Sequence, residues 1–305
     1  MVKIARSRLL VIGGTGFIGY HLILKAKKKR WKVTSVSLHK PKKFRYVRGV
    51  KYIRVDISNY KKLKKKIKGS YDYIVNLGGY GKHSSYLKDG GKIVDDHFLG
   101  LVNLTKIFHW KRIKKFIQIG SSDEYGEAKS PQKENSQGFP TTPYALAKLA
   151  CTNYLIMMNR INNYPVSILR FFLVYGPFQD KNRILPQVIE GCVKNKKIPV
   201  SPGNQIRDFC YIEDVIRAIF LTLKSKNTNG EILNIGSGKP QKIKKVVKNI
   251  SKIIGAGQPQ FGKKKYRKNE NMKLYPDIKK ARYILKWKPR VNLNSGLKIV
   301  INSLK

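Results

Sequence analysis

Residues 10–19 read L-V-I-G-G-T-G-F-I-G, an apolar run of strand-forming residues that breaks on glycines at 13, 16 and 19 and passes directly into a segment of helical period. A strand, a turn too tight for side chains and a helix N-terminus make up the opening of a βαβ unit, which commits the chain to a parallel sheet with crossover helices. Glycine here lets an anion approach backbone N–H groups with no Cβ in the way, and the helix end offers unpaired donors and a favourable dipole. The turn therefore predicts a site for a dinucleotide diphosphate at Gly13, Gly16, Phe17, Ile18 and Gly19.

The rest of the first half repeats the alternation of short apolar runs and helical segments that builds an α/β sheet. Strands are predicted at Ser7–Ile12, Lys32–Leu38, Lys51–Val55, Asp72–Leu77, Lys115–Gly120 and Val166–Val174. Between them the helical period predicts helices over Gly16–Lys28, a lysine-rich stretch at 61–68, Val94–Trp110 and Tyr144–Arg160. Beyond Pro177 the pattern loosens. Helices are expected at Leu185–Lys194, Glu213–Leu223, Lys242–Ile254, Asp277–Leu285 and Leu293–Leu304, with a short strand at Glu231–Asn234. The reading is a Rossmann-type doubly wound parallel sheet, mainly residues 1–177, and a smaller interleaved C-terminal substrate-binding part, mainly 178–305.

Apolar runs are four to seven residues long, well short of the roughly 20 that span a bilayer. The first of them ends in glycines rather than in a cleavage signal, so a cytoplasmic chain is expected. Cys151, Cys192 and Cys210 are widely spaced and read as small hydrophobes in a reducing compartment. Lys plus Arg number 64 against 17 Asp plus Glu, a formal +47. Such a surface attracts polyanions at low salt, but the lysines are spread along the whole chain, which favours a compositional bias over a used polyanion patch, and the dense runs at 25–32 and 61–68 fall where surface helices would present a solvated lysine face. The few acids carry more information: Asp56, Asp123, Glu124, Asp208, Glu213 and Asp214 all fall in patterned segments.

At the end of the second strand, a NAD-preferring site places a carboxylate on the adenosine ribose. This chain has Ser37 there, followed by Lys40 and further lysines, which favours NADP over NAD as the cofactor. Asp56 and Ile57 end the next strand, where they would receive the adenine. Leu77 and Gly78 follow a further strand, where backbone can pass close to the diphosphate and nicotinamide ribose.

Tyr144 and Lys148 stand four apart on a predicted helix and so share a face. A lysine ammonium beside a phenol favours the phenolate, which brings proton transfer within reach near neutrality. Ser121 follows a strand of the parallel sheet, at the edge where ligands gather, and its hydroxyl can orient a substrate oxygen.

These residues lie in segments that resemble the extended short-chain dehydrogenase/reductase family, specifically its sugar-nucleotide epimerases, dehydratases and 4-ketoreductases, over nearly the full chain. The segments are G-G-T-G-F-I-G at 13–19, D-I at 56–57, G-S-S-D-E-Y-G at 120–126, Y-A-L-A-K at 144–148, V-Y-G-P at 174–177, R-D-F-C-Y-I-E-D-V at 207–215, N-I-G-S-G at 234–238 and A-R-Y-I-L-K-W-K-P at 281–289. The resemblance implies Tyr144 as general acid/base, Lys148 on the nicotinamide ribose and Ser121 completing the set. It also implies Ser122 among the substrate contacts and Arg207 and Arg267 on the diphosphate of a nucleotide sugar. A homodimer through a bundle of two helices from each subunit, Tyr144–Arg160 among them, follows from the same resemblance.

Three departures bear on the reaction. Leu173 replaces a polar substrate contact, and His97 stands where many relatives carry an Asn that braces the active-site backbone. Ser121-Ser122-Asp123 replaces the Thr-Asp-Glu of the commonest dehydratases, which leaves Asp123, beside Glu124, as the remaining elimination base. The sequence thus favours 4-ketoreduction of a nucleotide sugar, with 4-epimerisation and 4,6-dehydration as alternatives and a non-catalytic polyanion binder as a remote one.

Overall fold

The computed structural model describes residues 6–79, 86–266 and 270–304. The chain divides into two compact units: residues 1–126, 138–170 and 216–233 form the first, and 127–137, 171–215 and 234–305 the second.

The first unit holds β1 (Arg8–Ile12), α1 (Phe17–Lys28), β2 (Lys32–Ser37), β3 (Lys51–Arg54), α2 (Tyr60–Lys66) and β4 (Tyr73–Asn76). A helical stretch with α3 (Gly91–Val94) and α4 (Gly100–Ile107) follows, then β5 (Lys115–Ser121), α5 (Pro143–Asn162) and β6 (Val166–Phe171). Seven strands line up in the order Glu231–Ile235, β6, β5, β4, β1, β2, β3. The pairs β1–β2, β1–β4, β2–β3 and β4–β5 are parallel, so the expected doubly wound sheet is present. Strand order reverses between β1 and β4, the position where open α/β sheets bind ligands beyond the carboxyl ends of their strands. Leu10, Ile12, Val36, Ile74, Phe116 and Ile168 meet Leu101, Leu104 and Leu155 in one buried cluster.

Capping explains the helix limits. Asn59 accepts the N–H of Lys62 at 3.0 Å to start α2, whose last turn carries Lys64, Lys65 and Lys66, cations suited to a helix C-terminus. Only Leu63 of α2 is buried, and its lysines are exposed, a solvated face. Thr142 caps α5 through the Ala145 N–H at 3.1 Å, Pro143 opens it, and Asn163 in the left-handed region ends it.

Two predicted elements need correction. The helical stretch begins earlier, with a π turn at Tyr86–Gly90, and the helix expected over Val94–Trp110 is interrupted by a second π turn at Asp95–Leu99 and stops at Ile107. Phe108 then turns into the core, where its carbonyl accepts the Tyr164 hydroxyl at 3.0 Å. The strand expected over Val166–Val174 is two strands, because Leu173–Tyr175 leaves the main sheet to pair in parallel with Phe209–Tyr211. A continuous apolar run carries no mark of a change of partner.

In the second unit, Gln258–Phe261 pairs with Lys197–Val200, and Ile206–Arg207 lies between Gln241–Lys242 and Lys273–Leu274. Helices Ile184–Val193, Ile243–Ile254, Lys279–Leu285 and Leu293–Asn302 accompany them. The segment 281–289 is anchored by Trp287, fully buried, whose indole N–H donates to the Asp214 carbonyl at 3.0 Å. Asp214 Oδ2 accepts the N–H groups of Arg290 and Val291, both at 2.9 Å. Cys151, Cys192 and Cys210 are buried thiols, and among the described residues no helix is long and apolar enough to cross a membrane.

Lys115 is one of the buried lysines. Lys115, 2% exposed at the start of β5, donates to Ser167 Oγ at 3.3 Å, to Thr228 Oγ1 at 3.0 Å and to Asn229 Oδ1. Burial pushes its ammonium down to about 8 from the usual 10.5. Between these values the unfolded chain holds a proton that the folded chain has released, so this group makes stability rise with pH across that window. Urea unfolding of the native chain and of Lys115→Met should therefore show the native chain gaining on the variant as the pH is raised from 8 to 10.5. A constant gap would mean that the buried ammonium is under no such penalty.

Candidate active site

The loop leaving β1 and the loop leaving β4 meet backbone to backbone. Gly13 has φ 76°, donates to the Val36 carbonyl at 2.7 Å, and would bring any Cβ to 2.8 Å from the Leu77 carbonyl oxygen. Gly16 N-caps α1 with no side-chain bond, and no acid stands in the first turn, formed by Phe17, Ile18 and Gly19. Gly19 presses on the turn itself: an added Cβ would collide with the Gly13 carbonyl oxygen and lie 2.6 Å from Gly14 Cα. Bare first-turn donors, a positive dipole end and close-packed glycine backbone fit a dinucleotide diphosphate.

The remaining candidate cofactor residues surround this turn. Ser37 is buried at the end of β2, and its hydroxyl accepts the Thr15 N–H at 3.3 Å, while Lys40 is exposed. Asp56 closes its own turn, with Oδ1 taking the N–H and hydroxyl of Ser58 at 2.9 and 2.7 Å. The Ile57 backbone is fixed by the Asn103 carboxamide, which donates to its carbonyl at 3.0 Å. The Ile57 side chain fills the space beside Gly78 and Gly100.

On the chemical side, Tyr144 is half-buried in the first turn of α5, and Lys148 is 4% exposed one turn later. The Lys148 ammonium lies 5.8 Å from the centre of the Tyr144 ring and donates to the Ile119 carbonyl at 2.9 Å, two residues before Ser121. The face shared by Tyr144 and Lys148 therefore looks onto the end of β5. Burial holds the Lys148 ammonium below the usual lysine range, with Cys151 and Glu124 opposing that shift. If the cation is the working form, activity should fall on the alkaline side at a pH below that of an ordinary lysine. A pH profile of kcat checks this, and a plateau persisting up to about 10.4, the value of a free lysine, would contradict it.

Ser121 is buried and N-caps the short turn Ser122–Tyr125. Its hydroxyl accepts the Asp123 N–H at 3.1 Å, and its own N–H donates to Glu124 Oε1 at 2.7 Å. Ser122 is buried and Asp123 half-buried. Asp123, the candidate elimination base, and its neighbour Glu124 part company here. Glu124 is 2% exposed, ion-paired to Arg170 Nε at 2.8 Å and bonded by Thr152 Oγ1 at 2.7 Å, so its carboxylate is committed inside the protein. Sequence reasoning missed Arg170 and Thr152. An arginine in the middle of the apolar run of β6 was the available signal, since a buried cation demands an anion.

His97 is 3% exposed and meets Tyr144 edge to face, ring centres 5.3 Å apart at 72°. Its ring occupies the volume a side chain at Gly79 would need, and its carbonyl accepts from Cys151 Sγ at 3.4 Å. A buried ring thus stands where an Asn was the reference.

In the second unit Arg207 is 8% exposed, ion-paired to Glu270, and donates through Nη1 to the Ile206 carbonyl at 2.9 Å. Neighbouring Asp208 is fully buried and gathers the 234–238 segment, accepting from Ser237 N at 2.5 Å, Ser237 Oγ at 2.8 Å and Lys239 N at 3.1 Å. Burial raises the Asp208 carboxyl, and those donors oppose the shift. Arg267 lies outside the described residues.

A family profile described as the NAD dependent epimerase/dehydratase family matches residues 9–236. A protein of Methanocaldococcus jannaschii, provisionally named a UDP-glucose 4-epimerase, is 31% identical over 97% of this chain and 98% of its own. Among solved structures, the UDP-glucuronic acid 4-epimerase of Bacillus cereus in complex with UDP-glucuronic acid and NAD is 27% identical, with a TM-score of 0.87 over 97% of this chain and 98% of that one. The UDP-glucose 4-epimerase of Thermotoga maritima with UDP-glucose is 26% identical, with a TM-score of 0.90 over the same shares.

Proposed function

Because the chain belongs to the NAD-dependent epimerase/dehydratase family, we propose that it is a nucleotide-sugar 4-epimerase working with bound NAD. The observation that carries this reading is the buried Lys148 ammonium held 5.8 Å from the Tyr144 ring and bonded to the strand that ends in Ser121. As phenolate, Tyr144 takes the proton of the sugar hydroxyl at C4 while the carbon is oxidised, and returns it when the ketone is reduced on its other face. Ser121 orients that oxygen, and Lys148 keeps the phenolate favoured. The nicotinamide supplies a reversible hydride acceptor, so no cofactor is consumed overall.

The same three side chains would serve 4-ketoreduction, the reading the sequence puts first, and likeness to two 4-epimerases over nearly the whole chain turns the preference. Arg207 is proposed for the nucleotide diphosphate, by exchange of its pairing with Glu270 for phosphate. Residues 178–305 are proposed as mainly the substrate part. The dimer is proposed through α5, whose Leu146, Met157 and Ile161 share an exposed stripe away from Tyr144.

The test is to incubate the NAD-loaded chain with UDP-glucose and with UDP-glucuronate, and in parallel to offer nucleotide 4-keto sugars with NADH or NADPH. Epimerisation appears as the C4 stereoisomer with no net change in cofactor. Stoichiometric oxidation of NADH or NADPH would replace this reading by ketoreduction, and loss of water would replace it by dehydration.

NAD as cofactor is supported by the B. cereus relative that holds it. Ser37, where a carboxylate would repel a 2′-phosphate, leaves NADP admissible. Titration of both is expected to give NAD the equal or higher affinity. An NADP affinity about tenfold higher, a difference of about 1.4 kcal/mol, would restore the sequence preference.

A further inference from the structure

We propose that Glu124 is a positioning residue for proton transfer: its buried carboxylate ties the end of β5 that carries Ser121 to the face of α5 that carries Tyr144 and Lys148. The proposal rests on the roles just given to those three residues. Oε1 accepts the Ser121 N–H at 2.7 Å, and Oε2 accepts Thr152 Oγ1 at 2.7 Å and Arg170 Nε at 2.8 Å. Thr152 lies one turn beyond Lys148 and two beyond Tyr144, along the same side of α5. One rigid carboxylate therefore spans the strand and the helix, with Oε1 bonded to the strand end and Oε2 to the helix.

The surroundings are shaped to admit it. Gly120 leaves the slot that Oε1 occupies, because a Cβ there would collide with that oxygen and approach Arg170 Cγ to 3.0 Å. Arg170, 4% exposed, neutralises the carboxylate through Oε2, and its guanidinium rests 4.5 Å from the centre of the fully buried Tyr125 ring. A buried ion pair of this kind adds little stability over apolar side chains of similar volume, since both charges lose their water. Stability alone thus gives weak reason for an ion pair next to Ser121, whereas geometry gives a strong one. Displacing a reacting group by roughly 1 Å can cost about a hundredfold in rate.

The experiment compares the native chain, the apolar exchange Glu124→Leu/Arg170→Met, and Thr152→Val, which trades one buried hydroxyl for a methyl. Each is loaded with NAD and assayed for kcat and KM with UDP-glucose and UDP-glucuronate. Amide hydrogen exchange of the segment containing Ser121 and the thermal midpoint are read without substrate. The double variant is expected to fold, to lose protection at Ser121, and to lose about tenfold or more in kcat with KM little changed. Thr152→Val should show a smaller loss of the same kind.

A folded double variant with native kcat overturns the proposal. Should the double variant not fold, Thr152→Val decides: unchanged kcat overturns the proposal, and lowered kcat at steady KM supports it. A native chain that converts neither sugar nucleotide sinks the functional reading and the catalytic half of this proposal with it. An active native chain matched by its variants sinks this proposal alone.

Discussion

Tyr144→Phe is expected to lower turnover by at least about 10²-fold while leaving NAD affinity nearly unchanged, the scale of a lost general acid/base. The substitution removes one oxygen and keeps the ring, so the edge-to-face packing on His97 survives and the fold has no reason to change. NAD is proposed to sit on glycine backbone and the first turn of α1, remote in sequence from the phenol, so binding and chemistry should separate cleanly. Steady-state kinetics together with NAD titration of the same preparation checks this. Turnover close to native in a correctly folded variant would remove Tyr144 from its role, and with it the reason for a buried lysine beside it.

Gly19→Ala should instead strike at cofactor binding. Its methyl would be driven into the Gly13 carbonyl and to 2.6 Å from Gly14 Cα, both backbone, which cannot turn aside as a flexible side chain would. Either the turn lifts off α1 or the helix start shifts, and in both cases the N–H groups proposed to hold the diphosphate lose their common focus. Overpacking of about 1–3 kcal/mol corresponds to roughly five- to 150-fold weaker NAD binding. Calorimetric titration of the apoprotein measures it. Native affinity in this variant would mean that the diphosphate is held elsewhere.

Much of this architecture could be read from residues alone, for identifiable reasons. The glycine turn is legible because it is a local steric requirement, and Tyr144 with Lys148 because helical spacing fixes a shared face. Buried Asp208 and Asp214 show why acids survive in patterned segments of so basic a chain: each gathers backbone N–H groups of a distant stretch. Glu124 was not legible, because its task is set by Arg170, 46 residues away in a strand whose apolar sequence gives no sign of which neighbour it will meet. The break after Phe171 was hidden for a similar reason, since pairing with Phe209–Tyr211 depends on chain far downstream.

Gly120, Glu124 and Arg170 form a unit whose members cannot be exchanged one at a time. Losing the arginine strands an anion, losing the carboxylate strands a cation, and filling position 120 evicts the carboxylate from its slot. Evolution should therefore cross this point only in compound steps. Kindred chains ought to divide into those that inherit all three residues and those that have exchanged the set for an apolar one, with few intermediates surviving between them.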